Sequence, residues 1–139
     1  MFILDTNHFR ELVIFSDLGS SLRQRMESAS DSVVTSIVTA EEAFRGWLAR
    51  LAATPDSEKH VVPYQQLSRA ITCLAACTVI GWDKDCAMRF NKLRQEGIRI
   101  GTMDLRIACI ALEYDAIVLT RNSVDFAKVP GLRIENWLD

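Results

Sequence analysis

The chain has 139 residues, 49% of them hydrophobic and 24% charged, which is the balance of one globular domain with room for a core and not of a disordered chain. A formal net charge of −2 excludes a uniformly basic nucleic-acid binder; a polyanion would have to be met by a local basic patch or through a metal ion. The longest nearly apolar stretch, Ala70–Ile80, falls short of the roughly 20 residues that cross a bilayer, and no basic segment ahead of an apolar one marks a signal peptide, so the sequence reads as a soluble, cytoplasmic protein.

Phe2 to Asp5 reads as the first strand, apolar throughout and therefore suited to a sheet covered on both faces. It runs into the polar cluster Asp5-Thr6-Asn7, which would lie at the carboxyl end of that strand, where open α/β sheets bind ligands. A helix from Asn7 to about Ile14 follows, then another from Asp17 to about Ser28, with Asp17 as N-cap and Leu18, Leu22 and Met26 at helical spacing. Val33–Ile37, β-branched and apolar, is the second strand. Thr39 with Glu42 three residues on forms a capping-box pattern for a helix to about Ala53, whose buried stripe is Ala40, Phe44, Trp47, Leu48 and Leu51.

Thr54–His60 reads as a loop, Tyr64 to about Ala76 as a helix, and Cys77–Gly81 as the third strand. Asp83 caps the next helix, which ends at Gly97 with Arg94 in its last turn. A short extended piece, Ile98–Ile100, leads to a helix capped by Thr102 with Asp104 in its first turn; Ala116–Thr120 and Leu132–Glu135 are the fourth and fifth strands. Strands alternating with helices define an α/β domain spanning residues 1–139, with a mostly parallel sheet. With strands two and three to one side of strand one, and four and five to the other, the order is 3-2-1-4-5, and Asp5 faces the loop after strand four across the switch point.

Cys73, Cys77, Cys86 and Cys109 all fall in helix-like, apolar surroundings without a Cys-x-x-Cys pair, the pattern of free thiols. His8 is the only histidine placed to act as a base, and surface positions are expected for both it and His60.

Three acids share a position on this topology. Asp5 follows strand one, Glu42 lies in the first turn of the helix after strand two, and Asp104 opens the helix that leads into strand four; all three belong to the carboxyl rim, as do Thr120, Asn122 and Asp125. Close carboxylates repel unless a cation compensates them, and hard oxygen ligands favour Mg²⁺ or Mn²⁺, which can activate water for attack on a phosphate. A first-turn acid also stabilises its own helix by a few tenths to about 1 kcal/mol, so Glu42 and Asp104 taken singly read equally as helix-start residues. Asp5, at a strand end, gains nothing from a helix dipole.

Four segments then carry a family likeness. Leu4-Asp5-Thr6-Asn7, Ser36 to Gly46 with its acid four residues before the glycine, Ile100 to Ala108 around Asp104, and Leu119 to Phe126 followed by Val129-Pro130-Gly131-Leu132 together resemble the PIN-domain ribonucleases of the VapC toxin type, over nearly the whole chain. The resemblance implies the PIN-like fold and a metal-dependent endoribonuclease, the toxin of a bacterial toxin–antitoxin pair. It implies Asp5, Glu42 and Asp104 as catalytic, metal-binding acids with Mg²⁺, or Mn²⁺, as cofactor. The family's glycine spacing selects Glu42 over its neighbour Glu41, which helical periodicity places nearer the buried stripe. Asn122 stands where some members carry a fourth acid and supplies no charge, with Asp125 close by; one tightly bound ion, and another recruited by RNA, is the expectation. Thr6, Asn7 and Thr120 are read as orienting carboxylates or waters.

Arg10, Arg45, Arg106 and Arg121 each flank one motif and are candidates for contacting RNA phosphates, though a solvated surface or a salt bridge serves any one of them as well. The family likeness also implies a homodimer and a small antitoxin covering the site, for which Trp47, Leu48 and the helix around Ile71–Ala75 offer surfaces. Two other classes stay open: a phosphatase using Asp5 as nucleophile, which commonly has a second aspartate where this chain has Asn7, and a PIN-like module that binds RNA or protein without cleavage.

Overall fold

The structure, a computed structural model, describes every residue from Met1 to Asp139. Five short strands form one sheet: β1 (Phe2–Leu4), β2 (Val33–Ser36), β3 (Val79–Ile80), β4 (Ile117–Leu119) and β5 (Arg133–Glu135). All neighbouring pairs are parallel and the order is β3-β2-β1-β4-β5, as the alternation of elements predicts. Leu4 pairs with Leu119 in register, and the Asp5 N–H continues the ladder to the Leu119 carbonyl at 3.1 Å. The ends of β1 and β4 therefore deliver their following polar residues side by side.

Consecutive residues point to opposite faces of a strand, which divides the core in two. Ile3, Val34 and Val118 pack on one face with α5 (Lys84–Gln95) and α6 (Thr102–Glu113), through Cys86, Leu93, Leu105 and Cys109 among others. Leu4 and Leu119 pack on the other with α1 (Thr6–Ile14), α2 (Asp17–Glu27), α3 (Ile37–Ala52) and α4 (Val61–Ala76), through Phe9, Leu12, Leu22, Trp47 and Ala70, and with Trp137 and Leu138 of the C-terminus. Both faces being covered is the reason β1 reads as unbroken apolar sequence.

Several element starts differ from expectation, each because another side chain makes the cap. Ser16, not Asp17, caps α2, its Oγ accepting from the Gly19 N–H at 2.9 Å. Ser36 caps α3, accepting from the Thr39 N–H at 3.1 Å, while the Thr39 hydroxyl donates to the Leu4 carbonyl at 3.2 Å. The Thr39–Glu42 capping box does not form: α3 begins at Ile37, its first turn holds no acid, and Glu42 falls in the second turn. Gly101 holds the cap position of α6, and Thr102 is its first helical residue. The expected loop before α4 contains a 3₁₀ turn, Ser57–His60, and the helix begins at Val61 because Pro63 is tolerated in a first turn, where its missing N–H is not needed. No strand forms at residues 98–100, and a short helix after β4, α7 (Ser123–Phe126), went unforeseen. Gly97 ends α5 at φ +86°, with the Ile98 N–H reaching back to the Leu93 carbonyl at 3.0 Å, the left-handed cap that glycine adopts without penalty.

Candidate functional site

Asp5 is placed by hydrogen bonds to its neighbouring strand and from the helix it opens. Because α1 starts at Thr6, Asp5 is itself its N-cap: Oδ1 accepts from the His8 backbone N–H at 2.8 Å. The expectation that this aspartate stands clear of a helix dipole is thereby corrected. The same Oδ1 is met by the His8 ring at Nδ1, 3.0 Å away. The other ring nitrogen, Nε2, accepts from the Trp137 backbone N–H at 3.2 Å, which leaves Nδ1 to carry the ring proton and donate it to Asp5. Both bonds use Oδ1; Oδ2 is left without a protein partner and in contact with solvent.

The other two acids come to the same rim from different elements. Glu42, on α3, accepts from the Thr6 hydroxyl at 2.5 Å, whereas Glu41 turns aside to pair with Arg45 at 2.7 Å. Asp104, in the first turn of α6, accepts from the Asn122 side-chain amide at 3.0 Å. That amide nitrogen also donates to Asp125 at 3.1 Å. Both acceptors being carboxylates, the NH₂ end of Asn122 must face them. Thr120 is buried, and its hydroxyl accepts from the Asn122 N–H at 2.9 Å, folding the loop after β4 so that Asn122 reaches Asp104. Asp125 is drawn outward: Lys128 at 2.7 Å, then Asn122, hold its carboxyl below the usual range. Asn7 is exposed in the first turn of α1.

Electrostatically the cluster is uncompensated. Burial raises the Asp104 carboxyl above its ordinary value; the Asn122 bond opposes this, and repulsion from Glu42, Asp5 and Asp125 adds to it. No lysine or arginine lies within ion-pair distance of Asp5, Glu42 or Asp104; the one basic neighbour is the His8 ring. No three His, Cys, Asp or Glu side chains converge closely enough to enclose an ion by direct ligation alone. A donor set of carboxylates, each steadied by a neutral donor, fits a hydrated hard cation that takes one or two of them directly and the rest through water, as Mg²⁺ does.

Two grooves lie along α3, the first of them reaching Glu42. One, of about 240 Å³, is lined by Thr6, Arg10, Glu42, Gly46, Trp47 and Arg50; the other, of about 420 Å³, by Ile37, Val38, Glu41, Trp82 and Arg106. The four arginines singled out in the sequence divide accordingly. Arg45 and Arg121 have carboxylate partners, Glu41 and Asp139. Arg10 and Arg106 have none and line the grooves.

His8 is the residue that sequence reasoning misplaced. It is fully buried, not at the surface. A signal was available: His8 precedes Leu12 by four residues and sits beside Phe9 and Val13, on the buried stripe of α1.

A five-stranded parallel sheet in the order β3-β2-β1-β4-β5, with helices on both faces and unneutralised carboxylates at its carboxyl rim, defines the class of α/β domain. The PIN domain family model matches residues 2–132, and the chain belongs to that family. Among its relatives are the tRNA(fMet)-specific endonuclease VapC of Salmonella typhimurium, 26% identical over 140 residues with 98% of this chain and 97% of the relative covered, and the enzyme of the same name from Shigella flexneri, 28% identical over 142 residues with 98% and 97% covered. The solved structure of DNA-bound VapBC from Salmonella typhimurium superposes with a TM-score of 0.76 at 25% identity, covering 98% of this chain and 97% of that one.

Proposed function

We propose that the protein is an endoribonuclease of the VapC type, the toxin of a toxin–antitoxin pair, hydrolysing RNA phosphodiester bonds with a divalent cation. The observation that carries this reading is the gathering of Asp5, Glu42 and Asp104 from three separate elements at one rim with no lysine or arginine paired to any of them. The relatives named as VapC endonucleases support the reaction class.

Asp5 and Asp104, with Glu42, would hold Mg²⁺ or Mn²⁺. Such an ion supplies charge neutralisation at the scissile phosphate and a more acidic water. The chain's own groups prepare the site: His8 fixes one Asp5 oxygen so that the other faces outward, Thr6 fixes Glu42, and Asn122 fixes Asp104. Thr120 acts through Asn122. Arg10 and Arg106, free of carboxylate partners, are the cations placed to meet flanking phosphates. A homodimer and a covering antitoxin belong to the same reading. Leu48 and Ile71, 55% and 56% exposed, offer apolar surface for them, whereas Trp47 is buried, its Nε1 donating to Gln66 at 2.8 Å. No helix is long and apolar enough to cross a membrane. Four free cysteines suit a reducing cytoplasm.

The test is cleavage of mixed RNAs in Mg²⁺ or Mn²⁺, with EDTA and Asp5→Asn as controls. Internal cuts that disappear in both controls are expected. Binding without products would reduce the protein to a non-cleaving module, and phosphate release from small esters would make it a phosphatase.

A further inference from the structure

The larger groove holds an arrangement that the acidic site does not require. Its wall is Trp82, half-buried after β3, with Ile37 exposed opposite on the first turn of α3. The Arg106 guanidinium carbon lies 5.9 Å from the centroids of both Trp82 and Phe90, two rings set edge to face at 6.3 Å. Arg106 donates only to the Met103 sulfur, at 3.6 Å, so its charge is held in place by aromatic contact and its remaining donors are unengaged. The groove lies between the two helices that carry Glu42 and Asp104: Ile37, Val38 and Glu41 line it from α3, and Arg106 from α6. Its volume of about 420 Å³ lies within the range of small-ligand sites.

We propose that Trp82, Ile37 and Arg106 form a subsite for one unpaired nucleobase of single-stranded RNA, in the groove between the helices that carry Glu42 and Asp104. This rests on the ribonuclease reading above. A planar base splayed from its stack finds an aromatic face in Trp82 and an apolar edge in Ile37, and its own phosphate finds Arg106. An apolar protein helix laid here would bury Arg106 without a counter-charge, whereas a nucleotide brings one. Stacking of this kind is tolerant of base identity, so the subsite selects unpaired nucleotides and not a particular sequence.

Trp47 and Trp137 are buried, which makes Trp82 the tryptophan whose fluorescence a bound base would quench. The probe is a mixed-sequence single-stranded RNA heptamer added to the Asp104→Asn protein, with an abasic ribose-phosphate heptamer beside it. Quenching by RNA alone is expected, lost in Trp82→Leu, which keeps apolar bulk without the aromatic face. In the otherwise unaltered enzyme, Trp82→Leu should raise KM about tenfold and leave kcat within about twofold, and Trp82→Phe should restore most of the KM; thermal melts check that each variant is folded. Equal quenching by the abasic strand, or a folded Trp82→Leu enzyme with the parent KM, overturns the subsite. Quenching produced by a protein partner and not by RNA also overturns it. If base-dependent quenching occurs but no RNA is cut in Mg²⁺, the subsite stands and the nuclease reading falls; cutting without quenching leaves the reverse.

Discussion

Removing the His8 ring tests whether Asp5 is held from behind. The ring is fully buried between Asp5 Oδ1, at 3.0 Å, and the Trp137 N–H, at 3.2 Å. In His8→Ala the carboxylate loses a charge-assisted bond of about 1.5–3 kcal/mol, and the Trp137 N–H is orphaned at about 1–3 kcal/mol. The residual cavity adds to both. A loss of about 3–6 kcal/mol is expected in urea unfolding with EDTA present, a large share of the roughly 5–15 kcal/mol typical of a domain. The two ends of the ring can be separated. An asparagine amide reproduces the Nδ1 donor and reaches Asp5 but not Trp137; a glutamine carbonyl reproduces the Nε2 acceptor and reaches Trp137. Second-layer partners of a metal ligand typically govern about 10–100-fold in affinity. Mg²⁺ titrations followed by thermal shift should therefore show His8→Asn near the parent and His8→Gln weakened about tenfold or more, although both recover part of the stability. If His8→Gln binds Mg²⁺ as well as His8→Asn does, or His8→Ala is within about 1 kcal/mol of the parent, the reasoning fails.

Four further outcomes follow from the structure. Because the Asp104 carboxyl is raised in the folded state, the folded protein binds more protons than the unfolded chain between the ordinary carboxylate value of 3.8 and the raised one; stability without metal should fall as pH rises through that window, and urea melts of the parent minus Asp104→Asn should isolate the fall. Mg²⁺ at a hundredfold over its Kd should add about 2.7 kcal/mol, or about 9 °C in Tm for a chain of this size, and the gain should vanish in Asp5→Asn. Asn122→Ala unties Asp104 from Asp125 and should weaken Mg²⁺ binding about tenfold by the same titration. Gly19→Ala should be among the most destabilising surface-helix changes, because its Cβ would lie 2.1 Å from the Glu11 carbonyl oxygen and force α2 off α1; a thermal melt that stays at the parent value would show that the two helices can part without cost.

The sheet order was legible because strand and helix signals alternate and because parallel crossovers leave few arrangements once β1 is central. Local starts were less so. Thr39 looks like a cap because it is followed by Glu42, but Ser36 lies three residues nearer the strand and its hydroxyl reaches the Thr39 N–H first. Thr39 is thereby released to bond the end of β1. The consequence for function is specific. With α3 starting at Ile37, Glu42 leaves the first turn, and the helix-dipole explanation that competed with a site role no longer applies to it. For Asp5 the correction runs the other way, since it does cap α1. The two roles coexist because the cap uses Oδ1 and leaves Oδ2 outward.

What no spacing rule could supply is the link from the carboxyl rim to the chain's far end. His8 and Trp137 are 129 residues apart and meet through one ring nitrogen. Trp137 and Leu138 pack in the same half of the core as Phe9 and Leu12, so docking the last residues positions His8, and His8 positions Asp5. Asp5 is thus held in part by the segment that carries Trp137 and Leu138. Loosening that segment, even without touching an acid, should free Asp5 Oδ1 from its ring partner and weaken Mg²⁺ binding in the same thermal-shift titration.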